Sequence, residues 1–184
     1  MMFSKRWIAV CAVMTTFGQM SIANAGSISG QIGVQMVIEP SCMVTSGSDA
    51  SSGTEQWGTL DFGTHSDLVN TKNAQFVGVS GNAALEISCS QGLTSAVLTI
   101  DGEMDGDLRY MTNTSSSSSR IAYRLYADSA FNLAISAGVA VESNGPSADK
   151  PRYMLFGRAQ PTEQSIVMPA AGTYTDTLLA TLTW

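Results

Sequence analysis

From Ile28 onward, every second residue of the stretch SISGQIGVQMVI is Ile, Gly, Ile, Val, Met, Ile, and the residues between are Ser, Gln, Gly, Gln, Val. Side chains alternate across a β-strand, so this spacing predicts a strand over Ser27 to Ile38 with one apolar face. Similar short runs recur: Gln75 to Val79, Ala84 to Cys89, Ala96 to Ile100, Ile121 to Tyr126, Tyr153 to Phe156 and Thr173 to Trp184. Several alternate cleanly, with Leu85, Ile87 and Cys89 opposite Glu86 and Ser88, and Ile121, Tyr123 and Leu125 opposite Arg124. No segment keeps helical spacing for three turns. Thr45 to Thr54 and the serine run Thr112 to Ser119 read as loops, and Ser143 to Pro146 as a turn. Many short strands between turn signals define an all-β chain, folded as an antiparallel β-sandwich.

The first and last strands pose a problem. In TYTDTLLATLTW, Tyr174, Leu178, Ala180, Leu182 and Trp184 share a face, with threonines mostly opposite. Both ends of the domain are then well-formed apolar strands. A sandwich has few ways to pair both internally, and a long unpaired edge invites another chain.

Residues 1–25 read as an export signal rather than a strand or an anchor. Lys5 and Arg6 precede the apolar run Trp7 to Met14, and Ala23-Asn24-Ala25 has the small residues of a cleavage site. The domain then occupies 26–184, a length that suits one sandwich. Removing Lys5 and Arg6 from the nine basic residues leaves seven against fifteen acidic ones, a net charge of −8. Such a surface repels phosphate backbones, so no nucleic acid is expected as a partner. Two cysteines follow the signal, Cys42 and Cys89, and outside the cytoplasm they are expected to form a disulfide worth roughly 4 kcal/mol in the chain-entropy model.

Candidate chemistry is sparse. His65 is the single histidine, too few for a metal or acid/base cluster with two thiols. Ser147 to Lys150 matches S-x-x-K without its partner motifs, and nothing marks a nucleophile elbow. Asp101 to Asp107 imitates the opening of an EF-hand loop, but the twelfth position is Thr112 rather than a bidentate Glu. A solvated turn is the better reading, and Asn113-Thr114-Ser115 is a formal glycosylation sequon. No catalytic residue, metal or cofactor is expected.

The order of motifs carries a resemblance. Cys42 after the first strand, Leu60-Asp61-Phe62-Gly63, Cys89 followed by Gly92, Asp101-Gly102 leading to Arg109-Tyr110-Met111, Tyr123-Arg124-Leu125-Tyr126, Phe156-Gly157-Arg158 and Gly172-Thr173-Tyr174-Thr175-Asp176-Thr177 together resemble the spore coat protein U domain. That family includes subunits of archaic chaperone–usher pili of the Csu type. The resemblance implies an incomplete immunoglobulin-like β-sandwich, completed by donor-strand exchange. A periplasmic chaperone lends a strand, and at the outer-membrane usher the N-terminal segment of another pilus subunit replaces it. It further implies a domain over 39–184 preceded by a donor strand over 26–38, anchored by Ile28, Gly30, Ile32, Val34, Met36 and Ile38. Tyr174, Leu178, Leu182 and Trp184 are expected to line the acceptor groove. Docking the five apolar anchors would contribute roughly 7 to 15 kcal/mol gross, against about 5 to 15 kcal/mol for the net stability of a whole domain. The implied role is a structural subunit of a surface pilus that supports adhesion and biofilm formation.

Two other readings remain open at this stage. One is a self-contained secreted binding module, in which Ser27 to Ile38 pairs within its own sheet and exposed aromatics such as Trp57 and Tyr110 meet a carbohydrate. The other is a spore or cell-coat structural protein built from the same domain.

Overall fold

The computed structural model describes residues 26–47, 55–93 and 95–184. The expected export signal and residues 48–54 of the first loop lie outside the described residues. By its contacts the chain divides into a unit ending at Val37 and a unit spanning Ile38–Trp184. In the first unit, residues 26–37 form neither strand nor helix, and Ile28, Ile32, Val34 and Met36 are all at least 83% exposed. The strand that the alternation predicts therefore does not form in the lone chain.

The second unit is built of strands in the order β1 (Cys42–Val44), β2 (Gly58–Leu60), β3 (Lys72–Gly78), β4 (Leu85–Cys89), β5 (Val97–Asp101) and β6 (Arg109–Asn113). There follow β7 (Ser116–Tyr126), β8 (Ala140–Val141), β9 (Arg152–Tyr153), β10 (Phe156–Ala159), β11 (Tyr174–Thr175) and β12 (Leu179–Thr183). A single 3-10 turn, Pro161–Glu163, is the one helical element among the described residues. Every strand pairing is antiparallel. The fold is all-β.

Six strands form one sheet in the order β11-β6-β7-β10-β3-β2. Two three-stranded sheets, β1-β4-β9 and β12-β5-β8, also contribute to the core. They meet where the Asn144 N–H, just after β8, donates to the Arg152 carbonyl in β9. All three sheets contribute to one core. Phe76, Ile121, Tyr123 and Leu125 come from the large sheet, Leu85, Ile87 and Tyr153 from one small sheet, and Leu98, Ile100 and Val141 from the other. Period-two sequence explains the strands locally, since Ala74, Phe76 and Gly78 of β3 are buried between exposed neighbours. Gly157 is a glycine for a steric reason: a Cβ there would lie 2.6 Å from the Phe62 ring, which crosses β10 and meets Tyr123 edge-on.

Cys42 and Cys89 sit directly opposite each other in β1 and β4 and are joined by a disulfide.

Three local expectations are corrected. The serine-rich stretch Thr112 to Ser119 is not a loop: it closes the β6–β7 hairpin, with Ser116 paired to Asn113. Tyr153 to Phe156 is not one strand. Tyr153 pairs with Leu85, whereas Phe156 pairs with Gln75 and Tyr126, so the chain changes sheet between them. Thr173 to Trp184 likewise divides, Tyr174–Thr175 joining β6 and Leu179–Thr183 joining β5.

Candidate functional site

β12 is the strand that gives the fold an unfinished side. Its Ala180 and Leu182, with Leu178 just before it, face the core, while Leu179, Thr181 and Thr183 face out. One flank pairs with β5, where Ala180 lies opposite Ile100 and Leu182 opposite Leu98. The other flank has no strand beside it among the described residues. Burial records this edge: Leu98 and Ile100 are 0% and 2% exposed, yet Leu178, Ala180 and Leu182, one strand spacing away, are only half-buried.

β1 is the complementary edge. It pairs with β4 alone, and Cys42 and Val44 are half-buried against the core. The two edges approach at one end, where the Trp184 indole N–H donates to the Pro40 carbonyl at 3.2 Å. β1 and β12 thus border a seam floored by half-buried apolar side chains and edged by backbone groups without a strand partner. This arrangement suits an added strand, which would complete the ladder and cover the floor together.

The four residues expected to line an acceptor groove fall in different places. Leu178 and Leu182 lie on the floor. Trp184 lies at its end, and although the alternation turned it toward the core it is 52% exposed. Tyr174 belongs to the six-stranded sheet, its hydroxyl bonded to the Ala170 carbonyl and to Ser119 Oγ. Ala180 in β12 and Val44 in β1 are also half-buried against the core. The alternation in LLATLTW showed the first, but the three residues of β1 are too short a signal for the second.

A polar cluster fixes the break between β11 and β12. The Tyr123 hydroxyl donates to Asp176 Oδ2 at 2.5 Å, and Asp176 Oδ1 accepts the Thr177 N–H at 2.7 Å. Burial and then the Asp176 carboxylate push the Tyr123 phenol well above its ordinary pKa, with Arg109 opposing. Arg109 lies opposite Tyr123 in the hairpin, is wholly buried, and crosses to the Ile100 carbonyl at 3.2 Å, leaving Nε and Nη1 without partners. Gly102, at φ +153, makes room for it: a Cβ there would lie 2.7 Å from Nη1 and 2.9 Å from Leu178. These residues belong to the DG, RYM, YRLY and GTYTDT motifs, whose roles the linear sequence does not disclose.

The other sequence candidates are held in local structure. Asp101 to Asp107 includes a turn closed by Asp105 and Leu108, and Asp107 faces Arg124 at 3.4 Å. Among the described residues no group of three His, Cys, Asp or Glu is placed to hold a metal ion. Asn113 of the sequon is 3% exposed, with its Nδ2 donating to Ala171 and its Oδ1 accepting from Ser115. His65 Nε2 lies 2.6 Å from the Phe62 carbonyl, and Ser147 and Lys150 bracket a tight turn. Trp57 and Tyr110 are half-buried: Trp57 packs on the core, and Arg120 stacks over Tyr110 at 4.5 Å.

The fold and this seam define an antiparallel β-sandwich with an open edge. The family model of the spore coat protein U domain matches residues 28–181, and the chain belongs to that family. Among curated proteins none matches it. Among solved structures it is similar to a chain in the CsuC–CsuE chaperone–tip adhesion subunit pre-assembly complex from archaic chaperone–usher Csu pili of Acinetobacter baumannii. The identity is 16% and the TM-score 0.48, over 80% of this chain and 40% of the other, so this chain spans less than half of that relative.

Proposed function

We propose that this protein is a structural subunit of a chaperone–usher pilus and that it polymerises by strand donation. One observation carries the reading. An apolar segment, Ile28 to Ile38, lies exposed with no strand partner, in a chain whose sandwich has a half-covered seam between β1 and β12. Each supplies what the other lacks, and membership of the spore coat protein U family supports the pairing. Ile28, Ile32, Val34, Met36 and Ile38 are the donor anchors, with Gly30 among them, and they enter the seam of another subunit. Donor and acceptor are different surfaces, so the contact does not close on itself and propagates into a fibre.

In this reading the chain passes through the periplasm, where a chaperone strand fills the seam until the outer-membrane usher exchanges it for the next subunit. The finished fibre stands on the cell surface and serves adhesion and biofilm formation. No catalytic step is involved. The test is to recover the protein from the periplasm, expressed alone and then with chaperones encoded beside it. Aggregates or SDS-resistant oligomers that become a soluble one-to-one complex support the proposal. A stable monomer in both samples overturns it and returns the protein to the class of self-contained binding modules.

A further inference from the structure

Between β8 and β9 the chain turns back on itself, its tip closed by Ser147 and Lys150. Asn144 and Gly145 lie on the first arm of this turn. The Asn144 backbone N–H donates to the Arg152 carbonyl at 2.7 Å. Gly145 packs so closely on the second arm that a Cβ there would strike the Lys150 carbonyl oxygen and lie 2.6 Å from the Pro151 Cα. Only glycine fits at 145. The packing therefore holds in place the pair Asn144-Gly145, the one position in the sequence where glycine follows asparagine.

We propose that Asn144 is a site of spontaneous covalent modification in the folded chain, where it is converted to aspartate and isoaspartate. The Gly145 backbone nitrogen attacks the carbonyl carbon of the Asn144 side chain. The new N–C bond closes a succinimide ring, the bond to Nδ2 breaks, and Nδ2 leaves as ammonia with the proton from the Gly145 nitrogen. Solvent water then opens the ring at either carbonyl. Opening at the backbone carbonyl leaves isoaspartate, and opening at the side-chain carbonyl leaves aspartate. Glycine carries no side chain to block the approach and turns most freely into the reactive geometry.

The surroundings leave this path open. Asn144 is exposed, and its side-chain amide makes no hydrogen bond among the described residues. The Gly145 N–H belongs to no strand ladder: it donates to Ser143 Oγ at 3.2 Å, a hydroxyl shared with the Arg152 N–H at 3.3 Å. The other asparagines are held or hindered. Asn73, Asn82 and Asn113 have their side chains in hydrogen bonds with Arg158, Glu86 and Ala171. Asn70 and Asn132 are exposed but precede Thr71 and Leu133, whose side chains crowd the attacking nitrogen. The product also has a place. Lys150 and Arg152 line the same cleft as residue 144, so a new carboxylate there meets two cations and competes with Glu86 for the Arg152 guanidinium. Isoaspartate lengthens the chain where the Asn144 N–H ties the two small sheets together, and so loosens that tie.

Peptide mapping by mass spectrometry tests this on the full chain recovered from the periplasm, fresh and after storage in warm neutral buffer. The peptide holding residue 144 should gain about 1 Da and resolve into two products, one of them a substrate for isoaspartyl methyltransferase. The gain should run about tenfold faster than at Asn70 or Asn132, since neither is followed by glycine. Asn144→Gln, whose longer side chain closes a larger ring far more slowly, should abolish the gain at this position. A folded chain in which residue 144 stays unmodified overturns the proposal, whether or not the same chain unfolded in urea reacts. Earlier gain at Asn70 or Asn132 overturns it as well. Neither result bears on strand donation, which involves other residues.

Discussion

Val34→Asp separates the fold of the subunit from its assembly. Val34 is 93% exposed in the lone chain, so an aspartate there should leave the subunit's own unfolding within about 0.5 kcal/mol of the parent. In the proposed linkage the same position is buried in a neighbour's seam. The substitution then forfeits the valine's burial, about 1.5 kcal/mol, and forces a carboxylate out of water without a partner, which costs several kcal/mol more. A total of at least about 4 kcal/mol corresponds to roughly a thousandfold in the linkage equilibrium. The assay compares thermal unfolding and chaperone co-purification, which should be unchanged, with the ladder of SDS-resistant oligomers, which should vanish. Gln35→Asp is the control, because residue 35 points the other way in the alternation and should leave the ladder intact. A normal ladder from Val34→Asp, or equal loss from both variants, would refute the reasoning.

Three further outcomes follow from the sandwich itself. Leu98 is wholly buried, so Leu98→Ala should lower the unfolding free energy by about 2 to 5 kcal/mol in a denaturant titration. Reducing Cys42–Cys89, which closes a separation of 47 residues, should cost up to about 4 kcal/mol and lower the thermal midpoint, read with and without reductant. The raised pKa of Tyr123 favours the folded state while the phenol stays protonated. That stability is complete below the ordinary value of 10.0 and is lost as the pH rises beyond it. Tyr123→Phe should therefore flatten the alkaline fall in unfolding free energy, measured between neutral pH and pH 11.

Alternation was legible wherever a strand keeps one face inward. Leu85 to Cys89 and the series Leu178, Ala180 and Leu182 show it in the sequence. Sheet membership is not a local property, so Tyr153 and Phe156 read as one strand although a crossing between sheets separates them. The serine run fails for another reason. Ser116 and Arg120 pair with Asn113 and Thr112 of β6, and Ser119 bonds to the Tyr174 hydroxyl, which together override weak β-propensity. Arg109 was invisible as a core residue because an isolated arginine reads as surface, and only the fold turns its guanidinium toward the Ile100 carbonyl. The segment 28–38 reads as a strand, yet among the described residues no strand pairs with it.

The position of the disulfide has a mechanical meaning. If subunits are linked through residues 28–38, tension along a fibre enters each fold at the start of β1. That strand is three residues long and would peel easily from a sheet loaded at its end. Cys42 is its first residue, bonded to Cys89 on β4, whose Leu85 and Ile87 are among the most deeply buried side chains. The load therefore passes through a covalent bond into an interior strand before any hydrogen bond of β1 has to carry it. A fibre of such subunits resists pulling with the strength of its cores rather than of its thinnest edge.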